Sequence, residues 1–546
     1  MTFQRILQTL SLGLFVFLLW QPSFPLDSIL PVETFLKLDP LIFLGTGLSG
    51  RAIAASLFLF LMVLFTAVLL GRFYCGSICP FGITIDLAER FIAKKSLAPA
   101  EPPSRLRLLK YEFLLFILGA SLFGTSLVYL GSPLSWITRL YGLLLHPMLY
   151  FLSDSAMMAV RPIANQWNMT SLAYVQITTP RYDFPWLTAL FFVTIFGCAR
   201  YSPRFWCRYL CPSGAILSFF ASKPVLRRQV SKDCTHCGHC IRRCPMGAID
   251  KDPRVTVHSE CIVCETCVRI CPANAISFKM TPFDQNRSAR AFCPDRRKML
   301  LAGLSGAGAA LITLAGNRNI EGGSGPAMIT RVEHIRPPGA LPERDFLARC
   351  IGCGECMKAC PTNTLQPAGP AGGLSGFFSP VPTPRLGPCV PHCNVCGQVC
   401  PTGAIRGLSL EEKTWAKIGT AHVLRHKCIA WEHGKKCLIC AELCVYDALK
   451  FKMVPELSVA VPFVDENKCS GCGVCEHNCP VMARSAIIVE PMGALRLRSG
   501  SYRERGHEMG LSLSVRRKGT YESSLPGGGE HEETLDPAGL PPGFTD

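Results

Sequence analysis

Charge is scarce in this chain, and histidine is scarce in its first 233 residues. Only 17% of its residues are Asp, Glu, Lys or Arg, and mean hydropathy is +0.26. That is too apolar for a wholly water-soluble chain and suits one that is part membrane and part soluble. Acidic residues are the rarer sign, 39 against 56 basic ones, for a formal net charge of +17. Nucleic acid is excluded as the reason, because the basic residues sit in short loops beside apolar runs, the bias of cytoplasmic loops in membrane proteins. Residues 1–233 contain one histidine, His146, so that region alone cannot supply both ligands of a bis-histidine haem. Loop-set disulfide spacing is also missing from the 30 cysteines. Most fall in tight repeated runs, which excludes a secreted disulfide scaffold and points to metal ligation.

Four apolar runs read as membrane spans: residues 6–20, 52–71, 112–130 and 184–199. About 20 apolar residues cross roughly 30 Å of hydrocarbon, so the first and fourth are near the lower limit. Residues 134–153 contain Arg139, His146 and Pro147 and read as an interfacial or re-entrant segment. Loop charge supports that choice. The loops 72–110 and 200–233 are rich in Lys and Arg while 131–183 is poor, which places both rich loops in the cytoplasm with two crossings between them. A fifth apolar stretch, 299–315, follows Asp295-Arg296-Arg297-Lys298. It reads either as an ordinary membrane helix or as an internal twin-arginine export signal. The second is favoured because a domain loaded with metal in the cytoplasm must cross already folded, the task of the twin-arginine route. Either way residues 316 onward lie outside the cytoplasm. The Gly-, Pro- and charge-rich residues 493–546 read as a disordered tail.

The strongest motif is C-x2-C-x2-C-x3-C-P, present as Cys234-Cys237-Cys240-Cys244-Pro245 and as Cys261-Cys264-Cys267-Cys271-Pro272. Three close thiolates wrap one cubane and the fourth ligates the partner cluster. Cys234, Cys237, Cys240 and Cys271 therefore form one site, and Cys261, Cys264, Cys267 and Cys244 the other. Four further motifs follow: Cys350-Cys353-Cys356-Cys360, Cys389-Cys393-Cys396-Cys400, Cys428-Cys437-Cys440-Cys444 and Cys469-Cys472-Cys475-Cys479. The third replaces the closing proline with Val445. About six [4Fe–4S] clusters are implied. Two C-x3-C-P pairs, Cys75 with Cys79 and Cys207 with Cys211, lie at helix ends on the cytoplasmic side. They read as a further metal centre or a redox dithiol, and are the candidate catalytic residues. Cys198 and Cys293 are left over and read as non-ligating.

The four-span region with its two C-x3-C-P motifs and two ferredoxin motifs resembles the NapH family of membrane ferredoxins, and the related membrane domains of the NosR and CcoG families. The segment from Arg296 to about Val489 resembles NapG, an exported four-cluster ferredoxin. Residues 1–490 thus resemble a fusion of the two. The fusion itself, the internal signal and Val445 depart from that pattern, and no flavin domain of the NosR kind precedes the first span. The resemblance implies that the first and fourth motifs of the last third exchange their final ligands. Cys350, Cys353, Cys356 and Cys479 would then share a site, as would Cys469, Cys472, Cys475 and Cys360. The second and third motifs would give Cys389, Cys393, Cys396 with Cys444, and Cys428, Cys437, Cys440 with Cys400.

The expected architecture is an α-helical membrane domain (1–230), an α+β ferredoxin-like domain for two clusters (231–285), a twin-arginine-like fifth span (295–316) and an extracytoplasmic four-cluster ferredoxin (340–492). The resemblance implies a quinol-oxidising electron-transfer subunit of the bacterial inner membrane, multi-pass, with its C-terminal ferredoxin module in the periplasm. Its partners would be lipid, the quinone pool and a periplasmic cytochrome or reductase such as nitrate reductase. Arg139, His146, Asp154 and Arg161 are candidate quinol contacts, and His236 and His239 sit beside cluster ligands. The alternative is a CcoG- or NosR-like reductase that matures a metalloenzyme through the C-x3-C-P thiols.

Overall fold

The computed structural model describes all residues except 1–2, 23–30, 32, 52–56, 93–103, 168, 170–177, 282–295, 319–333, 456 and 516–546. Helices α1 (Phe3–Trp20), α2 (Pro40–Gly50), α3 (Leu57–Leu70), α4 (Pro80–Ile92), α5 (Leu109–Leu122), α6 (Pro133–Gln166), α7 (Pro185–Cys198) and α8 (Pro212–Phe220) make one domain. A ferredoxin unit follows, then α9 (Arg296–Arg318), α10 (Glu343–Arg349), two more ferredoxin units and α11 (Tyr502–Glu508).

Helix α1 is apolar outside and polar inside. Leu10, Leu14 and Phe17 are exposed, whereas Gln8 and Ser11 are buried. Gln8 Nε2 donates to the Gly76 carbonyl at 2.8 Å and Ser11 Oγ to that of Ile78 at 2.7 Å. Helix α2 escaped the hydropathy reading, although Asp39-Pro40 is an N-cap followed by proline at the first helical position. Asp39 caps Leu41 N at 3.0 Å and also accepts from Ser132 Oγ (2.7 Å) and Ser213 Oγ (2.6 Å). One buried carboxylate thereby joins three elements.

Helix α6 is the one described helix long and apolar enough to cross a membrane, 34 residues by length and composition. Shorter apolar helices are Gln4–Trp20, Pro40–Gly50, Leu59–Leu70 and Pro185–Cys198. The segment 134–153 lies within α6. Its first residues are buried, with Ser135, Ile137 and Arg139 all at 0% exposure, and Met148–Leu152 face outward. A π turn at Leu140–Leu145 separates the two stretches.

Each ferredoxin unit is built on short antiparallel strands that flank two cysteine motifs. In the first, β1 (Leu226–Val230) precedes one motif and pairs with β2 (Ile276–Met280), which follows the next. In the second, β3 (Leu365–Pro367) pairs with β4 (Pro380–Pro382) between the motifs, and an Ala340–Ile405 bridge closes the outside. In the third, β5 (Thr420–Val423) pairs with β8 (Ile487–Glu490) outside, and β6 (Leu449–Lys452) with β7 (Val461–Val464) inside.

Residues 493–515 correct the expectation of a tail disordered from 493. Tyr502, Leu511 and Leu513 are buried, and Arg496 pairs with Glu343 at 2.9 Å. Leu511 and Leu513 pack with Tyr446, beside the Val445 that replaces a proline. The apolar anchors are irregularly spaced in a Gly- and charge-rich stretch, so no period announces them. Residues 516–546 lie outside the described set.

Helix α9 packs against α5 through glycine. A Cβ on Gly306 would lie 2.0 Å from the Phe116 carbonyl oxygen, and one on Gly119 2.4 Å from that of Gly303. Small residues let two backbones approach this closely. Gly306→Val is expected to destabilise the protein by about 1–3 kcal/mol through overpacking, read as a lower thermal midpoint in detergent. Gly308→Ala, whose Cβ meets nothing within 4 Å, should be neutral or stabilising by up to about 1 kcal/mol.

Candidate metal centres

The cysteines gather into sets of four. Cys261, Cys264, Cys267 and Cys244 line one cavity of ≈ 370 Å³, while Cys240 and Cys271 pack into one apolar cluster with Ile249 and Ile276. His236 is exposed, 4.0 Å from Asp252. The backbone N–H of His239, then its ring, bond to the exposed Cys237 and hold its thiol down at about 7.

In the last third the grouping differs from the one implied by resemblance. Cys350, Cys353, Cys356 and Cys400 line a cavity of ≈ 350 Å³. Cys360 lies with Cys393 and Cys396 instead of with Cys469, Cys472 and Cys475. Cys469, Cys472, Cys475 and Cys444 line another cavity of ≈ 350 Å³. Cys428, Cys437, Cys440 and Cys479 line one of ≈ 400 Å³. The first motif therefore exchanges with the second and the third with the fourth. Antiparallel pairing is the cause. Strand β6 follows Cys444 and β7 leads into Cys469, so the β6–β7 ladder brings those two together. The β5–β8 ladder does the same for Cys428 and Cys479.

These sets fit cubane clusters. A mononuclear zinc would draw its donors to about 2.0–2.3 Å of one point. The thiols surround cavities of similar size instead. Backbone N–H groups point at the crossing cysteines: Ala248 N to Cys244 Sγ (3.3 Å), Ala275 N to Cys271 (3.4 Å), Ala448 N to Cys444 (3.3 Å) and Ala486 N to Cys479 (3.4 Å). Such bonds stabilise ligating thiolates. Burial pushes the free thiols of Cys350, Cys440 and Cys472 up, to about 11, 12 and 12, so metal loading must displace their protons.

The first ferredoxin unit is keyed to the helical domain by a buried carboxylate, which the motifs do not reveal. Glu260, one residue before Cys261, is 4% exposed. It accepts from Arg72 Nη1 at 2.9 Å and Lys110 Nζ at 2.5 Å. Burial works to raise the Glu260 carboxyl, but Lys110 and Arg72 outweigh it and hold the group below its ordinary value. Cys75, Cys79, Cys207 and Cys211 line a fifth cavity, of ≈ 440 Å³. Cys198 ends α7 and lines none of the five cavities above, and Cys293 lies outside the described residues. Arg139 is buried, donating to the Ser135 and Tyr129 carbonyls at 3.2 and 2.7 Å. His146 stacks near Tyr150, with ring centroids 4.5 Å apart. Asp154 and Arg161 lie further along α6 and are partly exposed.

Comparison with known proteins agrees with this geometry. A 4Fe-4S dicluster domain family matches residues 227–272, and another 349–404, the latter spanning the first and second motifs of the last third together. A 4Fe-4S binding domain family matches 41–99 and 184–232, and another 462–485. The methylamine utilization ferredoxin-type protein MauM of Methylophilus methylotrophus is 36% identical over 210 residues, which is 36% of this chain and 87% of the relative. The ferredoxin-type protein NapG of Escherichia coli is 33% identical over 167 residues, 29% of this chain and 71% of the relative. The chain belongs to the MauM/NapG family of ferredoxin-type proteins. The ferredoxin-type protein NapF of Escherichia coli is 31% identical over 153 residues, 28% of this chain and 84% of the relative. The family membership and the cysteine sets make this an iron–sulfur electron-transfer protein that carries multiple [4Fe–4S] clusters.

The exchange pattern has a direct test in iron content. Cys400→Ala and Cys353→Ala should each cost about four irons per chain, and the double variant no more than either alone. Cys400→Ala combined with Cys440→Ala should cost about eight, measured by iron and sulfide analysis of anaerobically purified protein.

Proposed function

We propose that the chain is a multi-pass protein of the bacterial inner membrane, a fusion of a NapH-type membrane domain with a NapG-type ferredoxin. In this reading it oxidises quinol and delivers electrons to a periplasmic reductase of the nitrate reductase kind. The observation that carries the membrane part is the inverted surface of the helical domain. Besides α1, exposed apolar residues stud α3 (Leu61, Met62, Phe65), α7 (Leu190, Val193) and α9 (Leu304, Ile312), whereas Arg72, Arg139, Arg204 and Asp39 are buried. A surface of this kind suits lipid. NapG and NapF among the relatives support the acceptor, and the [4Fe–4S] clusters, when bound, supply one-electron redox chemistry.

For quinol the best-supported place is the π turn of α6. Insertions of this type recur at functional sites. His146 follows the turn directly, and its Nδ1 has no hydrogen-bond partner. Trp20 and Tyr150 flank it, at 6.1 and 4.5 Å between ring centroids. Across from the turn lies the second ferredoxin unit: Leu143 abuts Gly354, and Tyr182 Oη donates to the Met357 carbonyl at 3.4 Å. A quinol hydroxyl placed at His146 would thus give up its proton beside the segment that carries Cys353 and Cys356.

His146→Gln should slow reduction of the clusters by a menaquinol analogue about 10²-fold in stopped flow, leaving reduction by dithionite unchanged. An unaltered quinol rate would remove His146 from the reaction. Absence of any quinol reduction in the wild type would remove the quinol reading itself.

A further inference from the structure

We infer that Arg228 tunes one cluster of the first ferredoxin unit, holding up the redox potential of the centre on Cys261, Cys264, Cys267 and Cys244. Arg228 is the middle residue of β1, paired with Phe278 of β2, and both line that centre's cavity. The residue is only 5% exposed. Its Nη1 donates to the Pro253 carbonyl at 2.8 Å and to Thr256 Oγ1 at 3.0 Å. Thr256 belongs to the inner contact of the unit, through its bridge to Ile249. The guanidinium thus reaches from the outer ladder to the inner contact and is fixed there.

The donors left over on Arg228 point to the cluster. Its Nε and Nη2 have no hydrogen-bond partner, and among the described residues no carboxylate pairs with it. A buried cation with unpaired N–H groups and no counter-ion is costly. A cubane held by four thiolates carries net negative charge and presents sulfur acceptors, which answers both deficits. The thiols agree with that placement. Burial pushes Cys267 up to about 11, and Arg228 is the foremost group working against it. Arg228 likewise opposes the effect of burial at Cys240, in the neighbouring set. One guanidinium therefore lies between the two sets, with its unpaired donors at the cavity of the Cys261 set.

The other ferredoxin units are furnished differently. Among the described residues no Lys or Arg lines the three cavities of the last third. The buried Arg336 of the second unit spends its donors on Glu343, Ser379 and Pro380. Hydrogen bonds to cluster sulfur and nearby charge set the potentials of such clusters. Reduction adds one negative charge, so a fixed guanidinium stabilises the reduced form more than the oxidised form. The potential rises accordingly. The Cys261 set is also the one that Glu260 seats against the helical domain. An electron arriving at the Cys234 set, whose Cys237 is exposed, is thereby drawn inward. One ferrous iron of that cluster becomes ferric and one ferric iron of its neighbour becomes ferrous, with no bond formed and no proton taken up.

The test is an EPR-monitored redox titration of the full chain, purified anaerobically in detergent, and it needs no quinol. Arg228→Met should keep wild-type iron and sulfide while lowering the midpoint potential of one component, the one that Cys264→Ala removes. The expected shift is about tenfold or more in that cluster's oxidised-to-reduced ratio, which is about 59 mV for one electron. Arg228→Lys, which keeps the charge, should recover most of it. Full iron with no downward shift would overturn the inference, and so would a Lys variant that falls as far as Met. If the Met variant fails to fold, wild-type protein carrying isotope-labelled arginine side-chain nitrogen decides. Pulsed EPR of the reduced cluster should then show hyperfine coupling to that nitrogen, lost in Arg228→Lys, and no such coupling in the wild type overturns the assignment.

Discussion

Glu260 is the contact on which the arrangement of this protein turns. A carboxylate buried one residue from a cluster ligand meets two buried cations, Arg72 from the start of one C-x3-C-P loop and Lys110 from α5. Removing one partner of a buried ion pair costs about 3–5 kcal/mol because a charge is left stranded. The pairing therefore specifies a single seating of the ferredoxin unit on the helical domain. That seating puts the Cys261 set against Gly71 and Gly76, and so against the four-thiol cavity. At the opposite end of α2 and α1, Ala348 and Lys358 tie the second ferredoxin unit to the same helices.

The ferredoxin units share one design with different fittings. Two motifs, an outer antiparallel contact and an inner one bring the last cysteine of each motif to the other motif's set. The rule for neighbouring motifs was legible at Cys244 and Cys271, where the spacing is strict. Extending it by resemblance to first-with-fourth exchange failed, because the strands that decide the pairing have only three or four residues each and lie outside the motifs. Strands that short carry no alternation to read. Val445 shows a similar compensation. Where the closing proline is missing, Tyr446 is covered by Leu511 and Leu513 from a segment whose composition reads as unstructured.

In the helical domain the apolar runs announced helices but not their inner chemistry. Asp39, Ser132 and Ser213 come from three distant stretches, and no local pattern ties them together. Arg139 lies between Trp136 and Phe378, at 3.9 and 4.3 Å from their ring centroids, and Phe378 comes from a segment too distant for any local pattern to announce. The two C-x3-C-P motifs were visible as motifs, while their meeting at one cavity depends on tertiary packing such as Arg204 Nε donating to Asp86 Oδ1 at 2.7 Å.

In the proposed reading the helices connect the ferredoxin units docked at their two ends, with thiols, indoles and buried cations between them. The most direct test of that connection is one-sided reduction. Protein inserted in one orientation in sealed liposomes would be given an impermeant low-potential reductant on a single face, and the reduced clusters counted by EPR. Reduction of clusters in all three ferredoxin units from one face is the expected result. Reduction confined to the unit or units exposed on that face, with the rest oxidised until the membrane is opened, would contradict a continuous connection.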